Sequence, residues 1–69
     1  MLSAVEIKMR LVSLGKKQKD LCSALSSEYG NINESLLSRA INRPREPREC
    51  LINTMIGEVL RSWEEATND

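Results

Sequence analysis

The chain has 69 residues, of which 41% are hydrophobic and 29% charged, and its formal net charge is zero. These values indicate one small globular domain and exclude a disordered chain or a multidomain protein. No apolar run approaches the roughly 18 residues of a membrane span, and the amino terminus lacks the basic-then-apolar layout of a secretory signal. We therefore expect a cytoplasmic protein with no membrane partner.

The first predicted helix covers residues 3–14. Ser3 and Glu6 have the spacing of a capping box, in which each side chain can bond to the backbone of the other residue. Gly15 follows, where a left-handed residue commonly ends a helix. One apolar face at helical spacing should pack on the core; it consists of Ala4, Ile7, Leu11 and Leu14.

The second predicted helix covers residues 17–28, with an apolar side formed by Leu21, Cys22 and Leu25. Three lysines surround its amino-terminal end: Lys16, Lys17 and Lys19. Because a helix already carries partial positive charge at that end, added cations are unfavourable there unless an anion is nearby. Two interpretations stay open, namely an external anion such as a phosphate and an ordinary solvated surface.

The third predicted helix covers residues 33–42, and Asn33 is a favourable amino-terminal cap. Its inward face should consist of Leu36, Leu37, Ala40 and Ile41. Short hydrogen-bonding side chains share the opposite face, beside one arginine: Ser35, Ser38, Asn42 and Arg39. Serine is a mediocre helix former, so this outer face favours a function beyond folding.

The fourth predicted helix covers residues 47–66, with Pro47 suited to its first turn. Its apolar spacing is strongly amphipathic. A helix of this length would measure about 30 Å, and we expect the other helices to cover only its first half. The remaining apolar residues, Val59, Leu60 and Trp63, would then form a seam with a second copy, giving a homodimer. The alternative is that they fold back on the first helix.

Basic residues are concentrated on either side of the third helix. Lys16, Lys17 and Lys19 surround the start of the second helix, and Arg43, Arg45 and Arg48 follow the third. Residues 1–48 carry a net charge of +4 and residues 49–69 a net charge of −4. This asymmetry predicts a basic working surface and an acidic final helix.

Two stretches resemble the lambda-repressor-like helix-turn-helix family, which includes Cro and Xre-type phage or mobile-element regulators. The stretch "IKMRLVSLGKKQKDLC" resembles the family's first helix and its second helix, which begins with Gln. The stretch "SLLSRAIN" resembles its recognition helix. The resemblance covers residues 6–60. It implies an all-α domain of four or five helices and a sequence-specific transcriptional regulator that binds double-stranded DNA. One departure is the interval from Cys22 to Ser38, which exceeds the family's usual spacing. It predicts an elongated second helix or turn.

The resemblance also implies a role for each matching residue. The groove-facing set would be Ser35, Ser38, Arg39 and Asn42, with Asn42 and Arg43 nearest the backbone at the helix end. Gln18 would bond a phosphate at the start of the second helix. Phosphate contacts would come from Lys16, Lys17, Gln18, Lys19, Arg43, Arg45 and Arg48. A homodimer of this kind would recognise a palindromic operator.

Other functions have less support in the sequence. There is no histidine and no close cysteine pair, so we expect no metal and no cofactor. The acids are scattered and no Gly-rich phosphate loop is present, which argues against an enzyme. The two cysteines, Cys22 and Cys50, read as small core residues in a reducing compartment. The alternative function is a protein-binding module, such as a repression modulator or antitoxin, that acts on another regulator through the fourth helix.

Overall fold

The computed structural model describes residues 1–67, and helices are the only regular secondary structure in that range. The four helices are α1 (Ala4–Leu14), α2 (Gln18–Tyr29), α3 (Glu34–Asn42) and α4 (Pro47–Thr67). The expected all-α class is therefore confirmed. The helix ends differ from those expected by no more than one residue.

Local capping signals account for where α1 and α3 begin. The Ser3 hydroxyl accepts a hydrogen bond from the backbone N–H of Glu6 at 3.2 Å. The Asn33 side-chain oxygen accepts one from the N–H of Leu36 at 2.7 Å. Both caps satisfy backbone donors that a helix leaves without an internal partner. At the other end of α1, Gly15 has a φ of 68° and closes the helix.

The connection between α2 and α3 is short and held by side chains of α2. Gly30 and Asn31 have φ values of 72° and 52°, a left-handed region that glycine and asparagine tolerate best. The Ser26 hydroxyl donates to the carbonyl of Ile32 at 2.6 Å, and the Cys22 thiol lies 3.6 Å from the same oxygen. Because α2 continues to Tyr29 and α3 begins at Glu34, the connection between them consists of residues 30–33.

One hydrophobic core joins the four helices, and α4 contacts each of the other three. The predicted inward faces of α1, α2 and α3 all contribute to it, including Ile7, Leu21 and Leu37, which are fully buried. The longest dimension of the molecule is 35 Å, and the 21 residues of α4 span about 30 Å. Thus α4 extends along nearly the whole domain and receives the other helices along its length.

The predicted dimer seam on α4 is wrong for two of its three residues. Val59 is 6% exposed and Leu60 is completely buried within this one chain. The reason is that α1 and α2 lie against the second half of α4. Arg10 pairs there with Glu64, and the Tyr29 hydroxyl donates to Glu58 at 3.3 Å.

Trp63, the third seam residue, is half-buried and packs against the core. The ammonium nitrogen of Lys16 lies 5.2 Å from the centroid of its ring, within the range of a cation–π contact. The fold therefore covers much of the aromatic surface that the sequence assigned to a second copy or to a protein partner.

Candidate nucleic-acid interface

The third helix has two faces of opposite character, fixed by its own sequence. Its inward residues, Leu36, Leu37, Ala40 and Ile41, are all buried. Burial of four apolar side chains on so short a helix fixes which side points outward, since rotation about the helix axis would expose them. The opposite face, which we call the outer ridge, consists of Ser35, Ser38, Arg39 and Asn42.

The outer ridge is open to solvent along most of its length. Ser35, Arg39 and Asn42 are exposed and Ser38 is half-buried. The Asn42 amide donates to the Ser38 carbonyl at 3.0 Å and lies 3.3 Å from the Ser38 hydroxyl. Asn42 therefore folds back along the helix, while Ser35 and Arg39 extend from it. The ridge offers hydroxyl, amide and guanidinium groups, which are the chemical types that bond to base edges.

Arg39 lies beside a carboxylate that the sequence analysis missed. Its Nε atom lies 3.6 Å from the Glu49 carboxylate, and its side chain remains 64% exposed. The contact therefore leaves the guanidinium accessible.

Glu49 itself is 5% exposed, which is unusual for a charged residue. Its carboxylate accepts hydrogen bonds from the backbone N–H groups of Arg45 at 3.0 Å and Glu46 at 3.1 Å. These two bonds, followed by the charges of Arg39 and Arg45, hold the pKa of the Glu49 carboxyl below its ordinary value. Glu49 thus links the start of α4, the arginine-rich loop and the outer ridge.

The position of Glu49 in the sequence does indicate a capping role at the start of α4. Glu49 is the third residue of a helix that begins at Pro47, and an acid at this position commonly reaches back to the backbone before the helix. The residue that precedes the helix is Glu46 rather than serine or threonine, so the usual paired pattern was absent.

The predicted phosphate contacts after α3 are on the surface. Arg43, Arg45 and Arg48 are all exposed. The Arg48 guanidinium donates to the carbonyl of Asn31 at 3.2 Å, so the beginning of α4 contacts the connection that leads into α3. The first turn of α4 and the connection before α3 are therefore joined, and Arg43 and Arg45 lie exposed on the surface.

The predicted contacts around the start of α2 are less uniform. Lys17 and Lys19 are exposed and Gln18 is half-buried. The Lys17 backbone N–H donates to the Asp20 carboxylate at 2.9 Å, so an internal acid already lies in the first turn of α2. This acid weakens the argument for an external anion there. Lys16, stacked on Trp63, would have to exchange that contact for a phosphate.

No protein-family model, curated protein or solved structure matches this chain. None of the helices in residues 1–67 has the length and apolarity that crossing a membrane requires. The same residues contain no cluster of three or more side chains that could hold a metal ion.

Proposed function

We propose that this protein is a sequence-specific double-stranded DNA-binding transcriptional regulator of the Cro or repressor kind, acting in the cytoplasm. Its outer ridge would enter the major groove. One observation carries the proposal: the inner face of α3 is buried in the core, while its polar outer face is left open by residues 1–67. A recognition helix has this division of roles, with one side docked and the other free for base edges.

Arg39 is the strongest candidate for base recognition. A guanidinium can bond to both acceptors on the major-groove edge of guanine, which is worth about 1–3 kcal/mol of discrimination. The contact with Glu49 leaves most of the Arg39 side chain exposed and therefore available to a base. Ser35 and Ser38, on the same ridge, would supply shorter contacts.

The exposed cations would fix the position of α3 on the duplex through the phosphates. Lys17, Lys19, Arg43, Arg45 and Arg48 are the exposed members of the predicted set that make no ring contact within residues 1–67. If four phosphates are neutralised, the log–log salt slope should be about −3.6, from about −0.9 per phosphate. Because the net charge of the chain is zero, the attraction to DNA would have to come from this local cationic surface.

Selection from random duplex DNA at about 50 mM and about 200 mM salt tests the proposal. We expect a defined sequence to be enriched at both concentrations, and its affinity to fall with salt at the stated slope. A palindrome would further indicate that two copies bind together. Enrichment of DNA without a common sequence, lost at the higher salt concentration, would contradict the proposal. It would favour the alternative function, a module that binds another protein.

A further inference from the structure

The first helix carries a second apolar face that the core does not use. Val5, Met9 and Val12 are 67%, 65% and 79% exposed. Their spacing of four and then three residues places them on one side of α1, opposite the buried Ile7 and Leu11. We call these three residues the α1 stripe. The spacing repeats every 3.5 residues on average, which is the pattern of a helix that packs along another helix.

A shallow groove of about 510 Å³ runs beside the α1 stripe. Val5 and Met9 line it on the α1 side, and Glu64 lines it on the α4 side. Arg10 also lines the groove and bonds Glu64 through two nitrogen atoms, one at 2.8 Å. This ion pair holds α1 against α4 and leaves the outer side of α1 facing solvent.

Within residues 1–67, no other helix carries such a row of exposed apolar side chains. The other large apolar residues exposed within residues 1–67 are Met1, Tyr29 and Leu51. Tyr29 is the last residue of α2 and Leu51 lies near the start of α4, so they do not form a stripe on one helix. Tyr29 and Leu51 instead line a separate groove between α2 and α4. The α1 stripe is the only row of three exposed large apolar side chains on one helix in this range, and a twofold axis would pair that row with itself.

The charged residues on the two flanks of the stripe are complementary to those of a second copy. At 100° per residue, Glu6 falls on one flank of the stripe and Lys8 on the other. When two parallel helices are related by a twofold axis along their length, opposite flanks meet, so Glu6 of each copy faces the flank that carries Lys8 of the other. An antiparallel pair would bring identical flanks together. Charge complementarity therefore selects the parallel arrangement.

We propose that the α1 stripe is the interface with a second copy of this chain, in which two α1 helices pack in parallel around a twofold axis with Met9 at the centre. The interface is small. An 11-residue helix is about 16 Å long and buries less than the roughly 800 Å² per partner of a standard interface. The pair should consequently be weak and form in a concentration-dependent way.

Sedimentation equilibrium of the full chain, without DNA, tests this interface. We expect reversible dimerisation for the unmodified chain and a monomer at all concentrations for Met9→Glu, whose circular-dichroism melt should be unchanged because Met9 is exposed. The matched control is Leu51→Glu, which places the same charge at an exposed leucine on α4 and should leave dimerisation intact. A monomeric unmodified chain, or a dimer that survives Met9→Glu, would overturn the proposal.

Cross-linking tests the direction of the two helices. In the parallel arrangement Val5→Cys should form a disulfide with its own copy under mild oxidation, and so should Val12→Cys. Cross-links that form only when these two variants are mixed would indicate antiparallel helices and would overturn the proposed arrangement. The unmodified chain, whose Cys22 and Cys50 are half-buried, controls for native thiols. Because no DNA is present, these outcomes leave the proposed role of α3 to its own test.

Discussion

Two surfaces of this molecule looked equally available in the sequence, the outer ridge of α3 and the second half of α4. The ridge is polar and stays open, whereas Val59 and Leu60 on α4 are buried by the same chain. Polar side chains remain in solvent because their burial without partners costs free energy. Apolar side chains instead pack against the first surface within reach. An apolar pattern thus identifies a helix face without identifying what covers it.

The largest expected effect is on stability, and it tests whether Leu60 belongs to the core or to a dimer interface. Leu60→Ala is expected to lower the free energy of unfolding by about 2–5 kcal/mol, because it leaves a cavity in a fully packed site. The measurement is urea unfolding. Leu51→Ala, at a leucine that is 59% exposed on the same helix, should change it by no more than about 0.5 kcal/mol. If both substitutions change the unfolding free energy equally and only slightly, Leu60 is not a core residue and the interface interpretation would be favoured.

The next effect concerns the outer ridge. Arg39→Ala should weaken binding to an enriched duplex about ten- to a hundredfold, the equivalent of about 1–3 kcal/mol. The unfolding free energy should change little, since Glu49 keeps its two backbone donors. Fluorescence anisotropy measures the binding.

The matched control is Arg61→Ala. Arg61 is 79% exposed and pairs with Glu65 on α4, away from the residues of the ridge. Its removal should leave affinity for the duplex nearly unchanged. If both variants bind equally well, Arg39 has no part in recognition.

A smaller effect should appear at the start of α3. Asn33→Ala removes the cap that bonds to the Leu36 N–H and should cost about 1 kcal/mol of unfolding free energy. Asn42→Ala is the comparison, because Asn42 is exposed and lies at the far end of the helix. Thermal unfolding followed by circular dichroism would distinguish them, and similar melting temperatures would show that the cap contributes little.

The smallest effect concerns Glu49, which links the outer ridge to the start of α4. The pKa of its carboxyl is lowered in the folded state, so its contribution to stability is full above the unfolded-state pKa and is lost as the pH falls through the folded-state pKa. Unfolding should therefore be measured at several pH values. Glu49→Gln should cost most at neutral pH, and its cost should shrink as the pH falls, which flattens the acid side of the stability curve. An unchanged acid slope would contradict this role.

Much of the fold follows from local sequence signals. Ser3 and Asn33 cap helices at positions fixed by a spacing of three residues, and helical periodicity identifies the buried side of α3. Such features could be predicted because each depends on residues within one or two turns.

Contacts between distant segments could not be predicted in this way. Asn53 is 1% exposed, and its amide bonds to Leu2, 51 positions away, and to Ala40, 13 positions away. A polar side chain such as that of Asn53 is expected at the surface of the protein. Here it is buried, and three hydrogen bonds satisfy its polar atoms in the interior. The burial of Leu60 and the exposure of Met9 likewise depend on how α1 and α4 lie together.

The most direct test of the central claim is a nuclear magnetic resonance titration of the labelled chain with duplex DNA. We expect the largest shifts at Ser35, Ser38 and Arg39, with further shifts at the flanking lysines and arginines, and little change at the α1 stripe beyond that caused by dimerisation. Shifts confined to α1 or to the second half of α4, with the outer ridge unchanged, would contradict the account.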